Sequence, residues 1–114
     1  MRQAGIVAAA CLYALDHHVD RIAEDHARAR RLAEGLADAG VRVDLDQVET
    51  NFVQIDVGPE RADAIDRIKA QGVLVSTTVH PTMARAVTHL DISDGDVEEA
   101  VRAIPRALDV LARA

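Results

Sequence analysis

Gln3 to Leu15 is Ala-rich and apolar on nearly every side. A helix with no polar face belongs in an interior, so this segment is predicted to be a fully buried helix. From Ile22 the pattern changes. Ile22, Ala29, Leu32, Ala33 and Leu36 recur at the spacing of one helix face, with Arg21, Glu24, Asp25, Arg28, Arg31 and Glu34 filling the rest. A break is predicted near Asp16–Val19, which makes the first third a long broken helix. Gly40 is placed to stop it, as glycine does just past a helix C-terminus.

The period then shortens to two. Val41, Val43 and Leu45 alternate with Arg42 and Asp44, and Val53, Ile55 and Val57 alternate with Gln54 and Asp56, predicting two half-buried strands. Gly58-Pro59 follows, with Pro59 suited to the first turn of a helix. That helix is predicted to turn Ala62, Ile65 and Ile68 inward and to end at Gly72. Val73 to Val79, apolar and β-branched, predicts a third strand. His80-Pro81-Thr82 predicts a turn, and Arg85 to Ile92 a fourth strand. Ala86, Thr88, Leu90 and Ile92 would share one face of it, and Arg85, Val87, His89 and Asp91 the other.

Ser93 and Asp96 have the spacing of a capping box. Val97, Val101, Ile104, Leu108 and Leu111 then mark a final helix, which Pro105 should bend by removing one hydrogen bond. The predicted order α-α-β-β-α-β-β-α describes an α+β fold: a small, mostly antiparallel sheet with helices packed on it, preceded by the long broken N-terminal helix.

Composition narrows this picture. The 114 residues are enough for one domain and no linker is visible. Phe52 and Tyr13 are the only aromatic residues and Trp is absent, so the core must be aliphatic. A formal net charge of -6 argues against a nucleic-acid surface. Cys11 stands alone and cannot form an internal disulfide, which suits a reducing cytoplasm. The apolar run Ile6 to Leu15 is shorter than the ~20 residues that span a bilayer, and no clear signal-peptide cleavage site follows it. No membrane partner is expected.

Catalytic templates are mostly missing. There is no P-loop, no G-x-G-x-x-G, no G-x-S-x-G and no cysteine pair. His17, His18 and His26 lack the i, i+4 spacing of a zinc site, so no metal site is expected. Cys11, in its Ala-rich helix, reads as a buried, inert small hydrophobe. Glu98 and Glu99 open the last helix, where carboxylates suit the positive end of its dipole. Arg85 differs. An arginine opening a strand just after a turn would aim its planar fork beyond the sheet edge, and guanidinium binds carboxylates in bidentate fashion.

Two groups of residues resemble the L-threonine aldolases, within the fold-type I enzymes that use pyridoxal 5'-phosphate (PLP). The first is Met1-Arg2-Gln3-Ala4-Gly5 with the helix through Leu12-Tyr13-Ala14-Leu15, continued by Asp25-His26, Arg30-Arg31-Leu32-Ala33 and Gly35-Leu36. The second is Arg85-Ala86-Val87-Thr88-His89-Leu90-Asp91-Ile92-Ser93, and Thr50-Asn51-Phe52-Val53 is similar to a strand opening of the family. The resemblance runs over almost the whole chain and implies that residues 1–114 form the C-terminal small domain of such an enzyme. It implies that Arg85 binds the α-carboxylate of a small amino-acid substrate. It also implies that Arg2 reaches a PLP phosphate of a neighbouring subunit. His89, on the same predicted face as Arg85, reads as a group that supports the site from behind. The family's catalytic lysine, phosphate-binding glycines and active-site histidines lie upstream of the position matched by Met1.

Lys69 is the only lysine here, and nothing in the resemblance brings it to a cofactor. The expectation is therefore a domain separated from its large PLP-binding domain, through a truncated gene, a misassigned start or a cloned fragment. Its partners would be that large domain and the other subunits of a homo-oligomer. Such a chain should not cleave L-threonine or L-allo-threonine to glycine and acetaldehyde by itself. A non-catalytic binding or assembly module, or the small domain of another PLP lyase, are the alternatives, because a shared fold does not fix a reaction.

Overall fold

A computed structural model of the chain describes residues 2–109. Helix α1 spans Ala4–His17 and α2 Ile22–Asp38, with the predicted break between them. The rest comprises β1 (Phe52–Asp56), α3 (Arg61–Ala70), β2 (Ser76–Thr77), β3 (Met83–Val87) and α4 (Asp94–Ala107). The three strands form one antiparallel sheet in the order β1-β3-β2, so the last strand in sequence is central. The α+β class and the small antiparallel sheet agree with the hydrophobic pattern.

The core lies between one face of this sheet and helices α2, α3 and α4. Leu36, Val53, Ile55, Ile68 and Ile104 are its largest fully buried side chains. Such burial stabilises by roughly 25 cal/mol per Å² of apolar surface, so an aliphatic core must be closely packed to hold. Gly35 allows the closest approach of α2 and α4: a Cβ there would lie 2.7 and 2.8 Å from the two γ-methyls of Val101. Gly40 ends α2 with φ 89°, a conformation that L side chains resist. Gly40 N–H donates to Ala37 O (3.0 Å) and Val41 N–H to Leu36 O (2.9 Å), while Leu36 and Val41 are both buried. This is the double-bonded glycine stop expected from the sequence.

At the start of α4, Ser93 Oγ accepts from Asp96 N–H (3.1 Å) and Asp96 Oδ2 accepts from Ser93 N–H (2.8 Å). The backbone bond from Ser93, reinforced by its side chain, holds the Asp96 carboxyl below its ordinary pKa. Along the same seam Arg31 forks onto Glu98 at 2.7 and 2.9 Å. That hydrogen bond lowers the Glu98 pKa and raises that of Arg31. Both side chains are well exposed, so water screens the pair.

Five expectations need correction. Residues 41–45 are not a strand: after one bond from Asp56 N–H to Arg42 O (3.0 Å), Asp44 Oδ1 accepts from Asp46 N–H and curls Leu45–Gln47 into a 3-10 turn. A short polar side chain has here outcompeted a ladder. The strand expected over 73–79 shrinks to Ser76–Thr77, with Leu74 largely and Val79 fully in solvent. Arg61 Nη1 donates to the carbonyls of Thr78 (3.0 Å) and His80 (2.6 Å), gathering into a turn the backbone that would have extended the ladder.

The fourth strand is Met83–Val87 rather than 85–92, because His89 accepts from Asp91 N–H and turns the chain, leaving Leu90 exposed. In α3 the inward residues are Ala64 and Ile68, with Ile65 half-buried and Ala62 exposed; Pro59 precedes the helix instead of opening it. Finally, α1 buries none of its residues, and Ile6, Leu12, Tyr13 and Leu15 are all more than half exposed. Its Cys11 is exposed as well. Its Ala and Leu residues are strong helix formers, but among the described residues no apolar face covers the helix. Helix α4 runs through Pro105 to Ala107, and Leu111 lies outside the described residues. Among the described residues no helix is long and apolar enough to cross a membrane.

Candidate functional site

Strand alternation divides the sheet into a buried and an open face. Val53 and Ile55 on β1 and Ala84 and Ala86 on β3 point into the core. The intervening residues Phe52, Gln54, Arg85 and Val87 therefore occupy the face away from the helices. The register sets Arg85 opposite Gln54 of β1 and Ser76 of β2, so the arginine stands mid-sheet between two exposed polar residues. This corrects the expected position: Arg85 lies on the central strand, not at its start or at a sheet edge.

The side chain of Arg85 is half-buried. Its guanidinium carbon lies 4.7 Å from the ring centroid of Phe52, within the range of a cation–π contact. Its Nε is buried and has no hydrogen-bond partner. Among the described residues no carboxylate pairs with it, whereas Arg21, Arg28, Arg30, Arg31, Arg42 and Arg67 all have acidic partners. A buried donor without an acceptor costs about 1–3 kcal/mol. The rest of the planar fork has no protein acceptor either, and its geometry suits a carboxylate.

The two sequence segments carrying the family resemblance meet beside this arginine. Asn51 Nδ2 donates to Thr88 O (2.9 Å) and Thr88 N–H returns a bond to Asn51 O (3.0 Å). Thr88 is buried, and its hydroxyl donates to Asp25 O at 2.7 Å, tying α2 to the end of β3. Asp25 is itself buried and accepts from Arg21 at 2.6 Å. Asn51, Thr88 and Asp25 thus fix the end of the strand that carries Arg85. Sequence reasoning placed Thr88 on the face opposite Arg85 but missed both of these partners and Phe52, since only the strand register and the packing of α2 reveal them.

The other predicted residues lie elsewhere. Arg2 is exposed in the turn ahead of α1, on a different element from Arg85. His89 is exposed beyond the end of β3, and its Nδ1 accepts from Asp91 N–H at 3.3 Å. It borders a cleft of about 430 Å³ with Val73, Leu74, Val87 and Ile92, which Arg85 does not line. Lys69 is exposed in the last turn of α3. Among the described residues no group of three or more His, Cys, Asp and Glu side chains is arranged to hold a metal ion. The ring of His17 lies 4.2 Å from that of Tyr13, tilted by 37°.

Comparison with known proteins follows the same lines. The sequence profile of the beta-eliminating lyase family matches residues 1–58. The low specificity L-threonine aldolase of Escherichia coli (strain K12) is 42% identical over 100 residues, covering 87% of this chain. The probable low-specificity L-threonine aldolase 2 of Arabidopsis thaliana is 39% identical over 103 residues, covering 86% of this chain. The chain spans 28% and 29% of the lengths of these two relatives.

Proposed function

Because the chain belongs to the beta-eliminating lyase family, we propose that residues 1–114 are the small domain of a threonine aldolase, contributing Arg85 as the anchor for a substrate α-carboxylate. The observation that carries this reading is the unpaired, ring-stacked guanidinium on the open face of the sheet. The substrate class is a β-hydroxy-α-amino acid, L-threonine or L-allo-threonine, giving glycine and acetaldehyde.

When bound, PLP supplies the electron sink for cleavage of the Cα–Cβ bond. This chain supplies binding and orientation. Arg85 holds the α-carboxylate in a bidentate grip, which restricts rotation of the substrate about its Cα. Arg2, exposed before α1, is assigned to a PLP phosphate of a neighbouring subunit, and His89 to support of the turn after β3. The donor set fits part of a PLP site: it offers anion-binding groups, while the one lysine of the sequence is exposed on α3. The Schiff-base lysine is therefore assigned to a large domain outside these 114 residues. The exposed apolar side chains of α1 are assigned to contact with that domain and with other subunits of a homo-oligomer.

Titration of the purified chain with PLP, followed by visible absorbance and by glycine release from L-threonine, tests this division of labour. No saturable band and no glycine are expected. A saturable band with turnover, both lost in Lys69→Ala, would overturn it and place the cofactor on α3.

A further inference from the structure

We propose that Phe52 is a positioning residue for Arg85, holding its guanidinium plane ready for a carboxylate. This rests on the assignment of Arg85 as a carboxylate anchor. Arginine has several rotatable bonds, and a mid-sheet arginine facing open space would ordinarily be disordered among rotamers. Here two features restrict it. Phe52 presents its ring at 4.7 Å. The Nε end is packed out of reach of water without a protein acceptor. The cross-strand neighbours Gln54 and Ser76 flank it without pairing with its guanidinium: the Ser76 hydroxyl donates instead to Arg85 O, at 3.5 Å.

Phe52 itself has little structural reason to be aromatic. It is 43% exposed, on the sheet face that does not pack on the helices, and it pairs in register with half-exposed Val87. One of only two aromatic residues in the chain is thus placed outside the core, against the one arginine of the sheet. A ring in this position leaves the guanidinium charged and its edge free, whereas a carboxylate there would neutralise it and occupy its donors.

The test is ¹⁵N NMR of the full chain, following the Arg85 Nε–Hε resonance, identified by its loss in Arg85→Lys, during titration with acetate. In the wild type that resonance should carry a ring-current shift and move saturably with acetate. Phe52→Leu, at an exposed position, should remove the ring-current shift and weaken acetate binding about two- to five-fold, the size of a partly exposed cation–π contact. Phe52→Tyr should retain both. Acetate binding unchanged in Phe52→Leu overturns this inference alone. A wild-type resonance that ignores acetate overturns the carboxylate assignment and the inference with it.

Discussion

Gly35→Ala should destabilise the protein, although the same change in most helices does the opposite. Replacing an interior helical glycine by alanine ordinarily gains up to ~1 kcal/mol, because glycine loses more backbone freedom on folding. At Gly35 the new methyl would meet Val101 Cγ2 at 2.7 Å and Cγ1 at 2.8 Å. Carbon–carbon contacts are comfortable at ~3.5–4.0 Å, so α2 and α4 would have to part by most of an ångström. Val101 cannot swing aside easily, since a β-branched helical residue has one strongly preferred rotamer. Overpacking of this kind costs roughly 1–3 kcal/mol. The net is a loss of about 1 kcal/mol, or a fall in Tm of about 4–5 °C for a domain of this size.

Thermal unfolding followed by far-ultraviolet circular dichroism measures it. The companion variant Val101→Ala removes both methyls that the new Cβ would strike. In that background Gly35→Ala should become stabilising by roughly 0.5–1 kcal/mol, a reversal of sign that reports direct coupling between the two residues. A raised Tm for Gly35→Ala alone, or the same shift in both backgrounds, would refute the close approach of these helices.

Three further outcomes are expected. Thr88→Val keeps the shape of a buried side chain but deletes the bond that its hydroxyl donates to the Asp25 carbonyl at 2.7 Å, a carbonyl that α2 still pairs internally; chemical denaturation should show a loss of roughly 0.5–1.5 kcal/mol, and an unchanged midpoint would mean the bond contributes nothing to stability. Asp96, held below its ordinary pKa by Ser93, stabilises the fold at pH values above the ordinary carboxylate range and loses that contribution as the pH falls through its lowered value. Asp96→Asn should therefore lower Tm near neutrality and narrow its gap to the wild type in acid; a gap independent of pH would count against the ionised capping box. Cys11 is exposed on α1, so in dilute native chain a thiol reagent should modify it about as quickly as in denaturant, with protection growing as concentration brings α1 into subunit contact; protection independent of concentration would mean the chain itself covers α1.

The elements legible from sequence are those fixed by neighbours three or four residues away. The stripe of α2 from Ala29 to Leu36, its stop at Gly40, the capping box of Ser93 and Asp96 and the alternation of Val53 and Ile55 all appear as expected, whereas Ile22 at the head of the stripe is exposed and Asp25 is buried. Their stabilising contacts lie within one turn or follow the pleat of one strand, so local order suffices to specify them. Strand length was not local: residues 41–45 and 73–79 have strand-like patterns, yet Asp44 and Arg61 claim backbone groups that a ladder needs.

The burial of α1 could not be read either, because an all-apolar helix records a need for a covering surface without saying which polypeptide provides it. The candidate site divides in the same way. An arginine opening a strand-like run could be noticed from the residues, and the family resemblance of the Val-Thr-His-Leu-Asp stretch behind it marked it as a carboxylate anchor. Its seat on the central strand, its stacking on Phe52 and the bonds joining Asn51 to Thr88 follow from the pairing of β1 with β3. Those residues are far apart in the chain, and only tertiary packing, by burying Val53, Ile55, Ala84 and Ala86 on one face, fixes the register that leaves Phe52 and Arg85 together on the other.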